Sequence, residues 1–174
     1  MEFLDMLIDA ARRPCERFFN VLEGLTPEQA NAFPTATDAP SIKSVSWLAW
    51  HSAREQDLQI AALTDTEVLW ISQGWRERFG LDLPDNTEDW RHTPQEAAKV
   101  TVNDIELLRG YLNAATEATI AYLQSLDPAS LADIIDRSWN PPVTRATRLV
   151  SIIDDAAMHS GQAVYVRRLL GLAD

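Results

Sequence analysis

Apolar residues recur every three to four positions along four segments of the chain, which is the spacing of amphipathic α-helices. The first segment covers residues 2–23, the second 42–63, the third 103–126 and the fourth 146–170. No segment shows the strict apolar and polar alternation that is typical of a half-buried strand. We therefore predict an all-α protein, a four-helix bundle with long crossover loops that forms one domain over residues 1–174.

Several residues indicate where these helices bend, begin or end. Pro14 lies inside the first helix and is expected to kink or restart it, because proline has no backbone N–H. Asn103 is a candidate N-cap of the third helix, and Gly171 is a stop signal after the fourth. Thr93 and Glu96 have the spacing of a capping box, which predicts a further short helix before the third long one.

The connection between the second and third helices, residues 64–102, is unusually long and rich in tryptophan. Long connections in compact domains are usually functional. We expect this segment to cover the mouth of a site and to contribute Trp70, Trp75 or Trp90 to its wall.

The composition of the chain indicates which classes of partner and which cellular compartment to expect. The chain has 15 lysines and arginines and 26 aspartates and glutamates, which gives a formal net charge of −11. Such a chain repels phosphate backbones and anionic lipid surfaces, so we expect neither nucleic acid nor membrane as a partner. Cys15 is the only cysteine, which excludes an internal disulfide, and the first residues do not resemble a signal peptide. We expect a cytoplasmic protein.

Two histidines and an aspartate carry the candidate chemistry. His51 and His159 each lie on the apolar face of a predicted helix, and Asp155 precedes His159 by one helical turn. A charged aspartate that faces a core is costly to bury unless it is paired or bound to a metal. A bundle that brings the second and fourth helices together would therefore form a metal site from His51, Asp155 and His159.

Alternatives to this set remain open at the level of sequence. A histidine on an apolar face is often a hydrogen-bonded core residue, and Asp155 could orient an imidazole with no metal present. Glu55 and Asp154 are rival carboxylates, of which Asp154 is expected to face solvent. His92 precedes a helix start and is interpreted as a surface or capping residue, with a fourth ligand as the alternative.

A substrate pocket is expected around the same place. Trp47 and Glu55 lie one turn before and one turn after His51, and Trp75 comes from the long connection. Arg148, like Arg145, is a candidate for binding an anionic ligand, with a surface salt bridge as the alternative role. Gln162 completes the predicted pocket.

Four stretches, WLAWHSAREQD, GWRERFGL, SWNPPVT and HSGQAVYVRRLLG, together resemble the DinB-like superfamily of metal-dependent four-helix proteins over nearly the whole chain. In that superfamily one ligand comes from the second helix and two, four residues apart, from the last helix ahead of a Gly-Gln pair. The resemblance assigns these roles to His51, Asp155 and His159, followed by Gly161 and Gln162. The commonest pattern has histidine at the position of Asp155, whereas the branch that includes mycothiol-dependent maleylpyruvate isomerases has glutamate, one methylene longer. Asp155 is closest to that acidic branch.

The resemblance implies a divalent-metal enzyme, with zinc or nickel as the ion and a small molecule as the substrate. Three protein ligands leave a coordination position for water or a thiol. The first reading is a thiol S-transferase or isomerase that uses a low-molecular-weight thiol of the mycothiol or bacillithiol type. The alternatives are a hydrolase that uses metal-bound water and a non-catalytic binding protein. A homodimer is also expected.

Overall fold

The computed structural model describes residues 3–34 and 42–172, so residue 2, where the first predicted helix begins, lies outside the described residues. The chain is mostly helical, and the predicted all-α class is confirmed. The long helices are α1 (Phe3–Leu22), α3 (Val45–Thr64), α7 (Ile105–Ser125) and α8 (Arg145–Leu169). The short helices are α2 (Pro27–Asn31), α4 (Leu69–Ser72), α5 (Trp75–Phe79) and α6 (Pro94–Ala97). Two 3₁₀ turns cover Asp89–Arg91 and Pro128–Ala132.

The long helices form a bundle in which α1 and α3 occupy opposite corners, because each of them packs against both α7 and α8. Helix α3 is the most enclosed of the four and is buried on nearly every face. Its buried residues include polar ones, notably His51, Arg54 and Asp57. A buried polar side chain needs a hydrogen-bond or charge partner, so these residues of α3 require partners inside the bundle.

Helix α1 runs without interruption through Pro14, and the predicted restart there is wrong. A proline inside a helix removes one backbone hydrogen bond and is unfavourable in isolation. Pro14 is buried together with Ala11 and Phe18 on the inward face of α1, and this packing offsets the loss.

The ends of the helices follow local side-chain chemistry. Thr93 and Glu96 form the predicted capping box of α6, and Gly171 follows α8 with a φ of +72°, as expected for a stop signal. The N-cap of α7 is Asp104 and not Asn103, because the Asp104 carboxylate accepts a hydrogen bond from the backbone N–H of Glu106. Both residue types cap helices well, so sequence alone does not distinguish these neighbours.

A small antiparallel hairpin precedes α8 and was not predicted. Strand β1 (Ile134–Asp136) pairs with β2 (Val143–Thr144), and Thr144 also caps the N-terminus of α8. Strands of this length are too short to show an alternating pattern. The hairpin fixes the position at which α8 begins.

The long connection is tied to the bundle by Asp57 of α3. Its carboxylate accepts hydrogen bonds from the backbone N–H groups of Leu69 and Trp70 at 2.7 and 2.8 Å, and from the hydroxyl of Tyr111 at 2.8 Å. Trp75 covers Gly110 of α7 so closely that a Cβ at Gly110 would lie 2.6 Å from the indole ring. None of the described helices is long and apolar enough to cross a membrane.

Candidate metal centre

The imidazoles of His51 and His159 meet between α3 and α8, although 108 positions separate them in the chain. Their Nε2 atoms are 3.2 Å apart, and their rings are perpendicular. Oδ1 of Asp155 lies 3.3 Å from Nε2 of His159. One possible donor atom from each of the three residues lies within 4.8 Å of the other two. The three residues predicted to form one site are thus brought together.

The other nitrogen of each imidazole has an oxygen acceptor. Nδ1 of His51 is 2.9 Å from Oδ2 of Asp89, and Nδ1 of His159 is 2.9 Å from Oε1 of Gln162. An imidazole that donates from Nδ1 has, when neutral, an unprotonated Nε2 with a free lone pair. Two such lone pairs converge here beside a carboxylate, and this is an arrangement that can bind a cation.

Asp89 is the functional residue that sequence reasoning missed. It lies in the 3₁₀ turn of the long connection, is 1% exposed, and is 3.8 Å from Nε of the buried Arg54. Burial alone would raise the pKa of Asp89, but the hydrogen bond and charge of His51, together with Arg54, hold that pKa below its usual range. Asp89 is therefore an anion that can fix the tautomer and the orientation of His51.

Arg54 links the pair of His51 and Asp89 to other residues of the long connection. Its guanidinium donates to the backbone carbonyl of Asp85 and lies over the rings of Trp50 and Trp70. A buried guanidinium beside a buried carboxylate offsets the cost of burying either charge alone.

The electrostatics of the site favour positive charge at its centre. Burial lowers the pKa of His159, but the hydrogen bond and charge of Asp155, assisted by Gln162, outweigh that effect and the pKa is raised. Burial and the negative charge of Asp89 raise the pKa of Glu55 to about 7, against the opposing influence of His51. Three carboxyl groups thus surround the two imidazoles.

Glu55 remains a rival carboxylate, because one atom each from His51, Glu55 and Asp89 also lies within 4.8 Å of the others. Asp154 is exposed, as expected. The first group has Asp155 as its carboxylate, 3.3 Å from Nε2 of His159 on the same helix α8.

His92 does not lie at the surface, so the surface interpretation was wrong, but it does cap the 3₁₀ turn Asp89–Arg91 through its backbone N–H. It is 7% exposed, accepts a hydrogen bond from Nε1 of Trp47 at its Nδ1, and contacts the hydroxyl of Thr87 through Nε2. Both ring nitrogens therefore have partners, and neither of the two candidate donor groups includes His92. Trp47 in turn stacks on His51, with ring centroids 4.5 Å apart, and forms the predicted aromatic wall.

Two of the three tryptophans predicted from the long connection lie in the core, and the third is exposed. Trp70 and Trp75 are buried in an aromatic cluster with Phe79 and Tyr111, and Trp90 is 65% exposed beside Arg91. The expectation that Trp75 lines a substrate pocket is thus corrected, because its ring fills the space above Gly110 in the core. The connection reaches the site through Asp89 instead.

Cavities flank the site on both sides. One, of about 450 Å³, is lined by residues that include Lys43, Leu48, Gln162 and Tyr165. Another, of about 370 Å³, is lined by residues that include Arg148. Gln162 and Arg148, both predicted to line a pocket, therefore lie in cavities on opposite sides of the Asp155 and His159 pair on α8.

Comparison with known proteins identifies the family. The sequence profile of the mycothiol-S-transferase family matches residues 4–171. The chain belongs to this family. The match spans the bundle and the candidate site, and it confirms the resemblance to the DinB-like superfamily.

A crystal structure described as that of a conserved protein of locus from Enterococcus faecalis is 54% identical to the chain. The alignment covers 98% of each chain with a TM-score of 0.91, so the two share one fold. No curated protein matches the chain.

Proposed function

We propose that the protein is a divalent-metal-dependent enzyme that transfers a low-molecular-weight thiol to an electrophilic small molecule. The observation that carries the proposal is the convergence of the two Nε2 atoms on one point beside Asp155, with each Nδ1 held by an oxygen acceptor. Membership of the mycothiol-S-transferase family supports the choice of a thiol.

The donor set fits a divalent ion. Two ligand atoms about 2.1 Å from a tetrahedral ion lie roughly 3.4 Å apart. The observed separations of 3.2 Å between the two Nε2 atoms and 3.3 Å between Nε2 of His159 and Oδ1 of Asp155 are close to that value. Two imidazoles and one carboxylate suit zinc or nickel. His51, Asp155 and His159 would hold the ion.

Held by His51, Asp155 and His159, a divalent ion would lower the pKa of a thiol bound to it and so favour the thiolate at neutral pH. In the transfer the thiol loses its proton to solvent and its sulfur bonds to the electrophilic carbon. The leaving group departs with the electron pair of the broken bond. The transfer therefore needs no oxidant or reductant.

The protein contributes orientation and exclusion of water. Asp89 and Gln162 fix the tautomers of the two histidines, and Trp47 covers one face of His51 with an apolar ring. Because these partners are already in place, little reorganisation would be needed at the moment of reaction.

The proposal is tested with untagged protein depleted of metal by a chelator and then reconstituted with zinc or nickel. Incubation with bacillithiol or mycothiol and monochlorobimane should give the thioether, detected by mass spectrometry, at a rate that depends on the metal. Conjugation at the background rate with every metal and thiol would contradict the proposal. Hydrolysis of ester or amide substrates without thioether formation would favour a hydrolase.

Replacing Asp89 with asparagine should lower zinc affinity by about 10–100-fold, because His51 loses the anion that fixes its tautomer. The measurement is a zinc titration against a competing chelator. Asp85→Asn is the matched control: its side chain is half-exposed and pairs with Arg76, and only its backbone carbonyl contacts Arg54. Equal affinity in Asp89→Asn and the wild type would show that Asp89 does not position His51.

A further inference from the structure

A groove lies between α3, the first turns of α8 and the β1–β2 hairpin. It consists of two adjoining cavities, of about 370 and 300 Å³, that share Gln59 and Arg148 in their walls. The hairpin contributes Asp136 to the larger cavity, and Trp139 and Ser151 line the smaller one. The groove has the size of a small-molecule site.

The groove lies along the same two helices, α3 and α8, as the candidate metal centre. Gln59 follows Glu55 by one turn of α3, and Arg148 precedes Asp155 by two turns of α8. Helices α3 and α8 are antiparallel at this contact, because His51 meets His159 and Gln59 meets Arg148. Two turns correspond to about 10 Å along the helix axis. A molecule that reaches Arg148 could therefore extend to the centre.

The charge of the groove is opposite in sign to that of the protein. The wall of the larger cavity carries Arg145 and Arg148 against the single carboxylate of Asp136, whereas the whole chain has a net charge of −11. Clefts with one sign of charge attract ligands of the opposite sign.

The two arginines differ in how firmly they are held. Arg145 contacts the hydroxyl of Tyr122, the carbonyl of Ser130 and the carboxylate of Asp133. Arg148 has two contacts of 3.3 and 3.4 Å, to Asp136 and Gln59, which are longer than most protein hydrogen bonds. A guanidinium has five N–H donors, and both hydrogen bonds that Arg148 makes are long and therefore weak.

We propose that Arg148 binds a carboxylate of a substrate in this groove. The assignment rests on the proposed thiol transfer and names its substrate class: the thiol or the electrophile carries a carboxylate about 10 Å from the reacting atom. Arg148 is thus a specificity residue, with Gln59 beside it accepting from Arg148 and donating to Glu55. The planar fork of arginine suits a carboxylate.

Binding is tested on the metal-free protein, so that the result does not depend on catalysis. Titration with unreactive 4-methylbenzoate should shift the backbone amide NMR signals of Val143 and Ser151, and the neutral 4-methylbenzamide should not. Arg148→Gln should weaken carboxylate binding by about tenfold or more, and Arg148→Lys by less. The control, Arg137→Gln, removes an exposed arginine of the same hairpin region. Equal binding of both compounds, or unchanged binding in Arg148→Gln, would overturn the assignment.

Kinetics then identify which substrate carries the carboxylate. The electrophiles 4′-(chloromethyl)biphenyl-4-carboxylate and its neutral carboxamide, in which two aromatic rings separate the reacting carbon from the carboxyl group, are compared with one thiol. The thiols 4′-(mercaptomethyl)biphenyl-4-carboxylate and its neutral carboxamide are compared with one electrophile. Arg148→Gln should raise KM for the charged member of one pair by about tenfold and leave its neutral counterpart unchanged. Equal changes within both pairs would overturn the assignment. Absence of any conjugation would reject the proposed transfer, while the NMR titration would still decide whether the groove binds carboxylates.

Discussion

Replacing His159 with alanine should abolish zinc binding and thiol transfer while the helices remain folded. The substitution removes one of the two convergent Nε2 atoms, and the loss of zinc affinity should exceed the roughly 10–100-fold expected for removal of an outer hydrogen-bond partner. His51→Ala should behave in the same way. The fold should survive, because its stability comes from apolar burial along the long helices and not from the ion. Zinc titration and circular dichroism measure the two effects separately.

Matched variants separate ligand loss from general damage. His92→Ala removes a buried imidazole that lies outside both candidate donor groups, so zinc affinity should be retained. Asp155→Ala should weaken zinc binding and Asp155→Glu should retain it, whereas Asp154→Ala, at an exposed position, should have no effect. Undiminished zinc affinity in both His51→Ala and His159→Ala would leave the pair as a structural hydrogen bond.

Replacing Asp57 with alanine should lower the free energy of unfolding by about 3–4 kcal/mol. The carboxylate accepts three buried hydrogen bonds, and its removal leaves the Tyr111 hydroxyl and the N–H groups of Leu69 and Trp70 without this acceptor. Burial and the charge of Asp57 raise the pKa of Tyr111, so this hydroxyl remains a donor throughout the accessible pH range. Urea unfolding followed by tryptophan fluorescence measures the change.

Two further variants sharpen that result. Asp57→Asn keeps one acceptor oxygen and should cost less than the alanine variant. Asp9→Ala removes an exposed carboxylate that pairs with Arg13 one turn away, and such a pair contributes about 0.3–0.5 kcal/mol. A loss in Asp57→Ala no larger than that in Asp9→Ala would show that Asp57 does not anchor the long connection.

The bundle could be predicted from sequence because its long helices bury continuous apolar stripes. Along α7 the spacing of Leu108, Leu112, Ala115 and Thr119 indicates one inward face, and all four are buried. The β1–β2 hairpin was missed because its strands are only three and two residues long. The predicted restart of the helix at Pro14 was wrong because the cost of a proline as a helix breaker is local, whereas the packing that offsets it depends on the other helices.

The candidate ligands could be predicted for a similar reason. Asp155 and His159 are one turn apart on α8, so their proximity is a property of the helix itself. Asp89 could not be predicted in this way, because 38 positions and several turns of the connection separate it from His51. Residue type also misleads here, since the charged Asp89 is 1% exposed whereas its apolar neighbour Trp90 is 65% exposed.

His92 and Trp75 show the same limit. Each lies in a polar, loop-like stretch, and each is buried by a partner from a distant helix, Trp47 in one case and Gly110 in the other. The spacing of apolar residues predicts whether a segment is a helix or a strand. It does not predict which aromatic ring of a loop packs into the core. Trp47 of α3 stacks on His51, and the connection contributes the carboxylate of Asp89.

The central claim, that His51, Asp155 and His159 hold a metal to which a thiol binds, is tested most directly by cobalt substitution. Cobalt(II) added to the metal-free protein should give the visible absorption of a low-coordinate site, and addition of the thiol should then produce a sulfur-to-cobalt charge-transfer band. The band should be absent when both histidines are replaced by alanine. A band of equal intensity in the doubly substituted protein, or no band in the wild type at saturating cobalt and thiol, would contradict the account.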